Sequence, residues 1–413
     1  MALRNLHRTG DQTLIREINL SLILDSLRRS APQSRAALAE LTGLNKTTVS
    51  SLVGELIEHN FVREVGLRAG NTGRPGRLLD LNPGAGYILT GEIGVDFISA
   101  LCSDFAPNTI WRRREAIRPE MGQQLILDQM LALLHQAEEQ GRAARGVLLG
   151  VAIGVPGLVD QSTGVLLFAP NLRWIDVPLR DITMAEFDAP VLVDNEANMA
   201  ALGEHYFGVA AGYEEVLYIS AGVGLGGGIV HNGRMFNGVS GTGTEFGHMT
   251  MDPDGEQCNC GNRGCWETQV SQSALFRFVA EAQLRRKDGR LHPALADPAS
   301  LTVAGVVDAA DAGDDVALSA LTKVGHNLGI GIASLVNALN PELVVFGGVL
   351  SLASDYLLPV VVEELEMRAL AWNRRASKVV RAHHGIDACA IGGVAAVYQA
   401  ILGDPGRIRI PMN

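Results

Sequence analysis

The sequence predicts a mixed α/β protein in two parts: an N-terminal winged helix-turn-helix and, behind it, two α/β lobes around a cleft. Three observations carry that prediction. Within the first eighty residues, three helical patterns crowd around a tight turn and are followed by two apolar runs about a Gly/Arg/Asn-rich tip. From Tyr87 onward, apolar runs that enter glycine turns alternate with helical patterns. Charge is also divided: residues 1–80 hold 11 Lys/Arg against 8 Asp/Glu, and the remainder holds 23 against 37. A mildly basic head on an acidic body is the asymmetry of a nucleic-acid-binding module joined to a metabolite-binding one.

The first helix is read over TLIREINLSLILDSLRRS, with Leu14, Ile18, Leu22 and Leu27 near helical spacing and Pro32 breaking it. Ser34 is placed to cap the helix in SRAALAELTG, and Gly43 to close it. Asn45 opens a third helix, NKTTVSSLVGELIEHN, whose apolar stripe is Val49, Leu52, Val53, Leu56 and Ile57. The runs Phe61–Val65 and Leu78–Leu81 suit a two-stranded wing, and Asn82-Pro83-Gly84 marks a linker. If the third helix enters a major groove, its polar start meets base edges and phosphates through Asn45, Lys46, Thr47, Thr48, Ser50 and Ser51. Arg68, Arg74 and Arg77 give the wing a thin cationic tip suited to a minor groove. The competing reading is a helical protein-interaction module with a solvated basic loop.

In the body, YILTGEIGV and FISALCSD read as a strand pair, and GQQLILDQMLALLHQAEEQ as a helix. GVLLGVAIGVPG reads as a buried strand entering a glycine turn, and VLVDNEANMAALGEHYFG as a strand running into a helix. EEVLYISAGVGLGGGIVHNG repeats strand, glycine loop, strand. HNLGIGIASLVNALNPELVVFGGVLS gives a helix, a strand and a glycine turn. The expected division is residues 1–82 for the head, 83–200 with a C-terminal helix at about 391–403 for the first lobe, and 201–390 for the second. A chain of 413 residues with 47% hydrophobic and 19% charged residues is not a disordered one. Its apolar stretches, such as VLLGVAIGVPGLV, are broken by glycine and fall short of the roughly 20 residues that span a bilayer. With no leader-like apolar core at the N-terminus, a cytoplasmic protein with no membrane partner is expected.

Three of the five cysteines, Cys258, Cys260 and Cys265, crowd into eight residues. That is metal-site spacing rather than a disulfide framework. With His248 they supply one imidazole and three thiolates, a tetrahedral set that leaves no open position, so the expected zinc ion is structural. A cluster of free buried thiols is the alternative, disfavoured by the polar, Gly-rich loop around them.

The pattern His-x9-Cys-x-Cys-Gly-x2-Gly-Cys-x-Glu, with Glu-Phe before the His-bearing Gly-His, resembles the ROK family of bacterial sugar kinases and sugar-responsive repressors. The resemblance runs over about residues 85–400. The winged head resembles the family's repressor branch, nearest its xylose-repressor type. The resemblance implies a two-lobed actin-like body of the ribonuclease H-like sugar-kinase type, a homodimer or dimer of dimers, operator DNA as a partner and a sugar effector. It also implies a sugar site: Gly154 and Gly157 of GVPG, Asn171 of APNLRW, Asn195 and Glu196 of DNEAN, Glu245 and His248 of EFGH, and Glu267 of CWE. Carboxylates and amides suit vicinal hydroxyls, and a site built of them rejects ligands lacking those hydroxyls. His248 then serves twice, one ring nitrogen on zinc and the other toward a sugar hydroxyl. On the alternative reading, Glu245 and Glu267 only support the zinc loop.

The family's kinases carry Asp-x-Gly-x-Thr in the first lobe. Here the segment is Glu92-Ile93-Gly94-Val95-Asp96. Val95 lacks the hydroxyl and Asp96 adds a negative charge, and both oppose phosphoryl transfer, which is mostly positioning and charge neutralisation. The family's catalytic Asp, in Asn-Asp-Ala-Asn, is replaced by Glu196, one methylene longer. Gly222, Gly224, Gly226, Gly227, Gly228, Gly347 and Gly348 persist, but the fold needs such turns in any case. The expectation is therefore no catalytic residues and no enzyme. The chain reads as a transcription repressor released by a sugar such as xylose, with the zinc loop passing lobe closure to the heads. A hexose kinase and a repressor controlled by a protein partner are the alternatives.

Overall fold

The structure, a computed structural model, describes residues 12–67, 76–284 and 301–403. In the head, α1 (Gln12–Ser30), α2 (Arg35–Thr42) and α3 (Lys46–Glu58) pack together. The capping residues are those the sequence marks. Ser34 Oγ accepts from the Ala37 amide at 3.2 Å, Gly43 ends α2 at φ 71°, and Asn45 Oδ1 accepts from the Thr48 amide at 2.8 Å. Val49, Leu52, Val53 and Leu56 are buried and Ile57 partly so. The wing is an antiparallel pair, β2 (Val62–Leu67) and β3 (Arg77–Leu81), with β1 (Gln33–Ser34) on the other side of β3. Arg68 and Arg74 lie outside the described residues.

The stripe expected on α1 needs correction. Leu20, Ile23, Leu24 and Leu27 are the buried set, whereas Ile18 is 51% and Leu22 42% exposed. The helix carries two apolar stripes, and only neighbours remote in sequence decide which one faces inward. The side chain of Leu14 falls outside those described.

The first lobe is built on a five-stranded sheet in the order β11-β7-β4-β5-β6. Here β4 (Tyr87–Ile93), β5 (Phe97–Asp104) and β6 (Thr109–Ala116) form an antiparallel meander. To these, β7 (Leu148–Val155) and β11 (Val191–Asn195) are added in parallel. The central strands are buried on both faces, which is why they read as continuous apolar runs rather than alternating ones. Helix α4 (Gln123–Arg145) covers one face. Between β7 and β11 the chain makes a small sheet of β8 (Leu158–Asp160), β9 (Val165–Ala169) and β10 (Trp174–Val177), followed by α5 (Leu179–Met184). Helix α6 (Glu196–Phe207) leaves the end of β11, so the expected limit at residues 200/201 falls inside one helix.

The second lobe repeats the plan with β14 (Arg234–Met235), β13 (Leu225–His231), β12 (Val216–Ala221), β15 (Leu343–Gly347) and β16 (Lys378–Arg381) in that spatial order. Its core lies between this sheet and a helical layer of α7 (Glu267–Val270), α8 (Gln272–Leu284), α9 (Val303–Asp311), α10 (Asp315–Leu339) and α11 (Ser354–Arg368). A short α12 (Ala371–Ala376) follows. The chain then crosses back: α13 (Ala388–Gly403) lies on β4 and β7 beside α6, on the face of the first sheet opposite α4. Gly385–Leu402 is long and apolar enough by composition to cross a membrane, but it is an inner helix of the molecule.

The head shares its core with the first lobe. Leu20, Ile23, Leu24 and Phe61 join Ile88, Leu101, Phe105, Leu149, Val397, Tyr398 and Ile401 in one buried cluster. Each such aliphatic side chain contributes about 1.5–3 kcal/mol by leaving water, so this contact is no loose tether.

Candidate effector cleft, metal cluster and DNA-facing helix

A cleft with about 1200 Å³ of empty space, counted to its open mouth, lies between the lobes. Its walls come from the C-terminal ends of strands, where an open α/β sheet leaves its crevice. Pro156 and Gly157 follow β7, Asn195 and Glu196 follow β11, and Gly222–Gly226 turn from β12 to β13. Glu245 and His248 lie on a single 3-10 turn, and Glu267 begins α7. Asn171 also lines the cleft. Of the residues singled out in the sequence for a sugar, only Gly154 does not. It sits within β7, where a Cβ would come 2.3 Å from Cys389 Sγ, so its smallness serves packing against α13.

The polar groups divide into those already committed and those still free. Asn195 caps α6, its Oδ1 accepting from Ala197 and Asn198 and its Nδ2 donating to Gly157 O at 3.0 Å. It holds the wall in shape. Glu196 Oε2 is shut from solvent with no hydrogen-bond partner. Burial, with Glu245, Glu92 and Asp194 nearby, pushes its carboxyl up to about 8. Burial also raises Glu245, with Glu267 adding and His248 opposing. Glu196 is only partly buried as a residue, but an oxygen shut from water without a partner is costly, and a ligand hydroxyl would supply one.

Sequence reasoning missed a partly buried network behind Glu196. Asn237 donates to Gln161 Oε1 at 3.0 Å, Gln161 donates to Asp194 Oδ2 at 2.7 Å, and Asn198 donates to Asp194 Oδ1 at 3.3 Å. This chain links the second lobe to the small sheet of the first. Asp194 and Asn198, both within DNEAN, carried the hint of it; Gln161 and Asn237 are ordinary loop polar residues until the fold joins them.

His248, Cys258, Cys260 and Cys265 converge as their spacing predicts, with all four donor atoms within 4.8 Å of one another. Cys260 Sγ and Cys265 Sγ are 3.7 Å apart, and Cys258 Sγ is 3.8 Å from His248 Nδ1. Ligands at about 2.3 Å around a tetrahedral ion would be separated by about 3.8 Å, so the donor set fits a closed metal site. The cluster and the cleft share residues. Glu267 accepts from the Cys258 thiol at 2.9 Å through Oε1 and from the Leu225 amide at 3.3 Å through Oε2. His248 turns Nδ1 toward Cys258, with Nε2 4.0 Å from Glu245. Asn259, between the cysteines, donates to Asn171 of the first lobe at 2.8 Å.

Glu92, Gly94, Val95 and Asp96 of the first lobe also line the cleft. Burial pushes Glu92 up to about 7 against the opposing charge of Arg114. The Arg114 guanidinium instead lies 3.3 Å from the centre of the Phe97 ring, and Arg112 is paired with Asp387.

On the head, Asn45, Lys46, Thr47, Ser50 and Ser51 are exposed at the start of α3, and Thr48 partly so. Thr47, Ser50, Ser51 and Gly54 share one exposed face by helical spacing. Asn45 spends its carbonyl on the cap, leaving its amide group outward. Arg77 is ion-paired to Glu64, which also meets Arg35 at 3.2 Å.

The fold and cleft thus define a sugar-kinase-like two-lobed body carrying a helix-turn-helix head. The ROK family profile matches residues 91–400, and the IclR helix-turn-helix domain profile matches residues 20–66. The chain belongs to the ROK family. It is 32% identical over 396 residues to the xylose repressor of Caldicellulosiruptor bescii, covering 96% of this chain and 99% of that one. Among solved structures it is similar to a ROK family transcriptional regulator described as a homolog of the Escherichia coli MLC protein. That match has a TM-score of 0.80 and 26% identity, covering 94% of this chain and 97% of the other. A ROK family glucokinase from Streptomyces griseus, in complex with glucose and AMPPNP, matches with a TM-score of 0.70 and 29% identity, covering 76% of this chain and all of that one.

Proposed function

We propose that the chain is a sugar-responsive transcription repressor that binds operator DNA through α3 and the wing and a small sugar in the interlobe cleft. The observation that carries the reading is the pairing, in one chain, of an exposed polar face on α3 with a cleft holding an unsatisfied buried carboxyl at Glu196. The full-length likeness to a named xylose repressor makes D-xylose the first effector to try and repression the sense of control. The sugar contacts are assigned to Glu196, Glu245, His248, Glu267 and Asn171, with Gly157 and Asn195 shaping the wall. A zinc ion is assigned to His248, Cys258, Cys260 and Cys265, holding the loop that carries two of these sugar contacts, His248 and Glu267. Operator symmetry calls for a homodimer or a dimer of dimers.

The chain is a regulator rather than a kinase. Its full-length relatives include a named xylose repressor and a ROK family transcriptional regulator, and the altered phosphate turn at Glu92, Val95 and Asp96 agrees. The test is fluorescence anisotropy of DNA from upstream of the protein's own gene, titrated with the chain and then with D-xylose, D-glucose and N-acetyl-D-glucosamine. Specific binding that one sugar releases is the expected result. Weak binding, equal on unrelated DNA, would overturn it. Specific binding unmoved by every sugar would shift the sensing role to a protein partner.

A further inference from the structure

Two helices run from the cleft to the DNA head. Helix α6 begins at Glu196 in the cleft wall and ends at Tyr206 and Phe207, beside α1. Helix α13 begins with Ala388 and Cys389, which also line the cleft, and ends with Tyr398, Ile401 and Leu402 in the core shared with the head. At 1.5 Å per residue each spans roughly 18–24 Å. Glycines lock the two against each other: a Cβ on Gly392 would stand 1.7 Å from Met199 O, and one on Gly203 would stand 2.8 Å from Ala388 O. Glu204, wholly buried in α6, adds a second tie by accepting from the His384 amide at 2.8 Å, just before α13. A pair packed this closely cannot bend between its ends, so a displacement at the cleft arrives at the far end.

At that far end sits Arg28 of α1, with only 5% of its side chain exposed. Its Nη1 donates to Tyr206 O at 2.5 Å, and its guanidinium lies 4.2 Å from the centre of the Tyr206 ring. Tyr206 O belongs to the last turn of α6, whose carbonyls have no partner within the helix and which is the negative end of the helix dipole. The other face of the guanidinium is held within α1 by Asp25, at 3.0 and 2.6 Å. A second route runs through rings. Phe207 meets Tyr398 edge-on at 6.1 Å, Tyr398 stacks on Phe105 at 4.7 Å, and Phe105 lies 5.1 Å from Phe61, beyond the end of α3.

We infer that α6 and α13 act as a paired rod carrying the state of the cleft to the DNA head, and that Arg28 is the positioning residue that receives it. The inference rests on the reading of the cleft as the sugar site and the head as the operator-binding part. It differs from transmission by the zinc loop, because Arg28 touches neither the cleft nor the metal cluster. A sugar engaging Glu196 moves the first turn of α6. The far carbonyls of α6 then pull on a buried guanidinium that has no slack, and α1 tilts the head.

The test is reciprocal coupling in the full chain. Operator affinity is measured by anisotropy with and without D-xylose, and D-xylose affinity by calorimetry with and without operator DNA. This is done for the wild type, Arg28→Ala and Arg28→Lys. In the wild type the two ratios should be equal and about fivefold or larger. Arg28→Ala should bring both ratios toward one while leaving D-xylose affinity of the DNA-free chain within about twofold. Arg28→Lys should fall between, since an ammonium keeps the charge but loses the planar fork. A wild-type ratio in Arg28→Ala would overturn the inference. If Arg28→Ala does not fold, Arg28→Lys and Phe207→Leu decide, and full coupling in both would overturn it equally. A wild-type chain that no sugar releases would instead overturn the sugar-sensing reading on which the inference stands. That outcome is distinguishable because it appears before any substitution is made.

Discussion

At the scale of single residues, Glu196 sets the character of the cleft. Its carboxyl, pushed up to about 8, stays protonated in the folded chain over a range where the unfolded chain, near 4.5, has released its proton. The stabilisation from this group is therefore complete below about pH 4.5 and is lost as pH rises through about 8. Glu92, pushed up to about 7, acts in the same direction. Glu196→Gln removes one of these protons from the balance, worth up to about 1.4 kcal/mol per pH unit. Thermal melts between pH 5 and 8 should show stability falling less steeply for the variant than for the wild type. Parallel curves would mean that Glu196 is ionised in the folded protein.

Residue identity was legible in the sequence where chemistry is local. Ser34, Gly43 and Asn45 act on backbone groups one to three positions away, and they do as expected. Gly154 was not legible, because its smallness answers to Cys389, more than two hundred residues on.

At the scale of elements, the loop from His248 to Glu267 carries both the metal cluster and two residues of the cleft wall, His248 and Glu267. It has little regular structure: isolated bridges join Thr250 to Cys265 and Gln257 to Arg263, and between them run turns. Such a segment needs a cross-link to hold Glu267 and His248 in place. The chain as isolated should carry about one zinc per protomer by elemental analysis. Cys260→Ser should lose most of that zinc, lower the melting temperature and weaken D-xylose binding by tenfold or more, about the cost of disturbing a metal's supporting shell. A variant that loses zinc but binds sugar as before would separate the two sites. The spacing of the four ligands was plain in the sequence because the loop is short. The inner stripe of α1 was not, since Ile18 and Leu22 are as apolar as the residues that face the core.

At the scale of the whole molecule, the boundary between head and body looked like a linker in the sequence, yet it is a shared core. Asn82-Pro83-Gly84 does turn the chain there, with Asn82 accepting from the Gly84 amide at 3.1 Å. But the faces of α1 and Phe61 that close the head's core rest on Phe105, Tyr398 and Ile401. A fragment of residues 1–82 made alone would leave that surface in water. Its thermal unfolding, followed by circular dichroism, should be broad or begin well below that of the full chain. A sharp transition at the same temperature would show that the head holds its own core. Composition and periodicity could not reveal this, because the partner strands and α13 lie elsewhere in the chain.

The glycine contact between α6 and α13 has a consequence best put in terms of heredity. Substitutions that leave operator recognition and sugar capture whole but sever one from the other would create a repressor that never lets go. The places able to produce that phenotype lie along Gly203, Gly392, Phe207 and Arg28, midway through the molecule. A genetic screen for non-inducible alleles should therefore collect changes at positions that touch neither inducer nor operator.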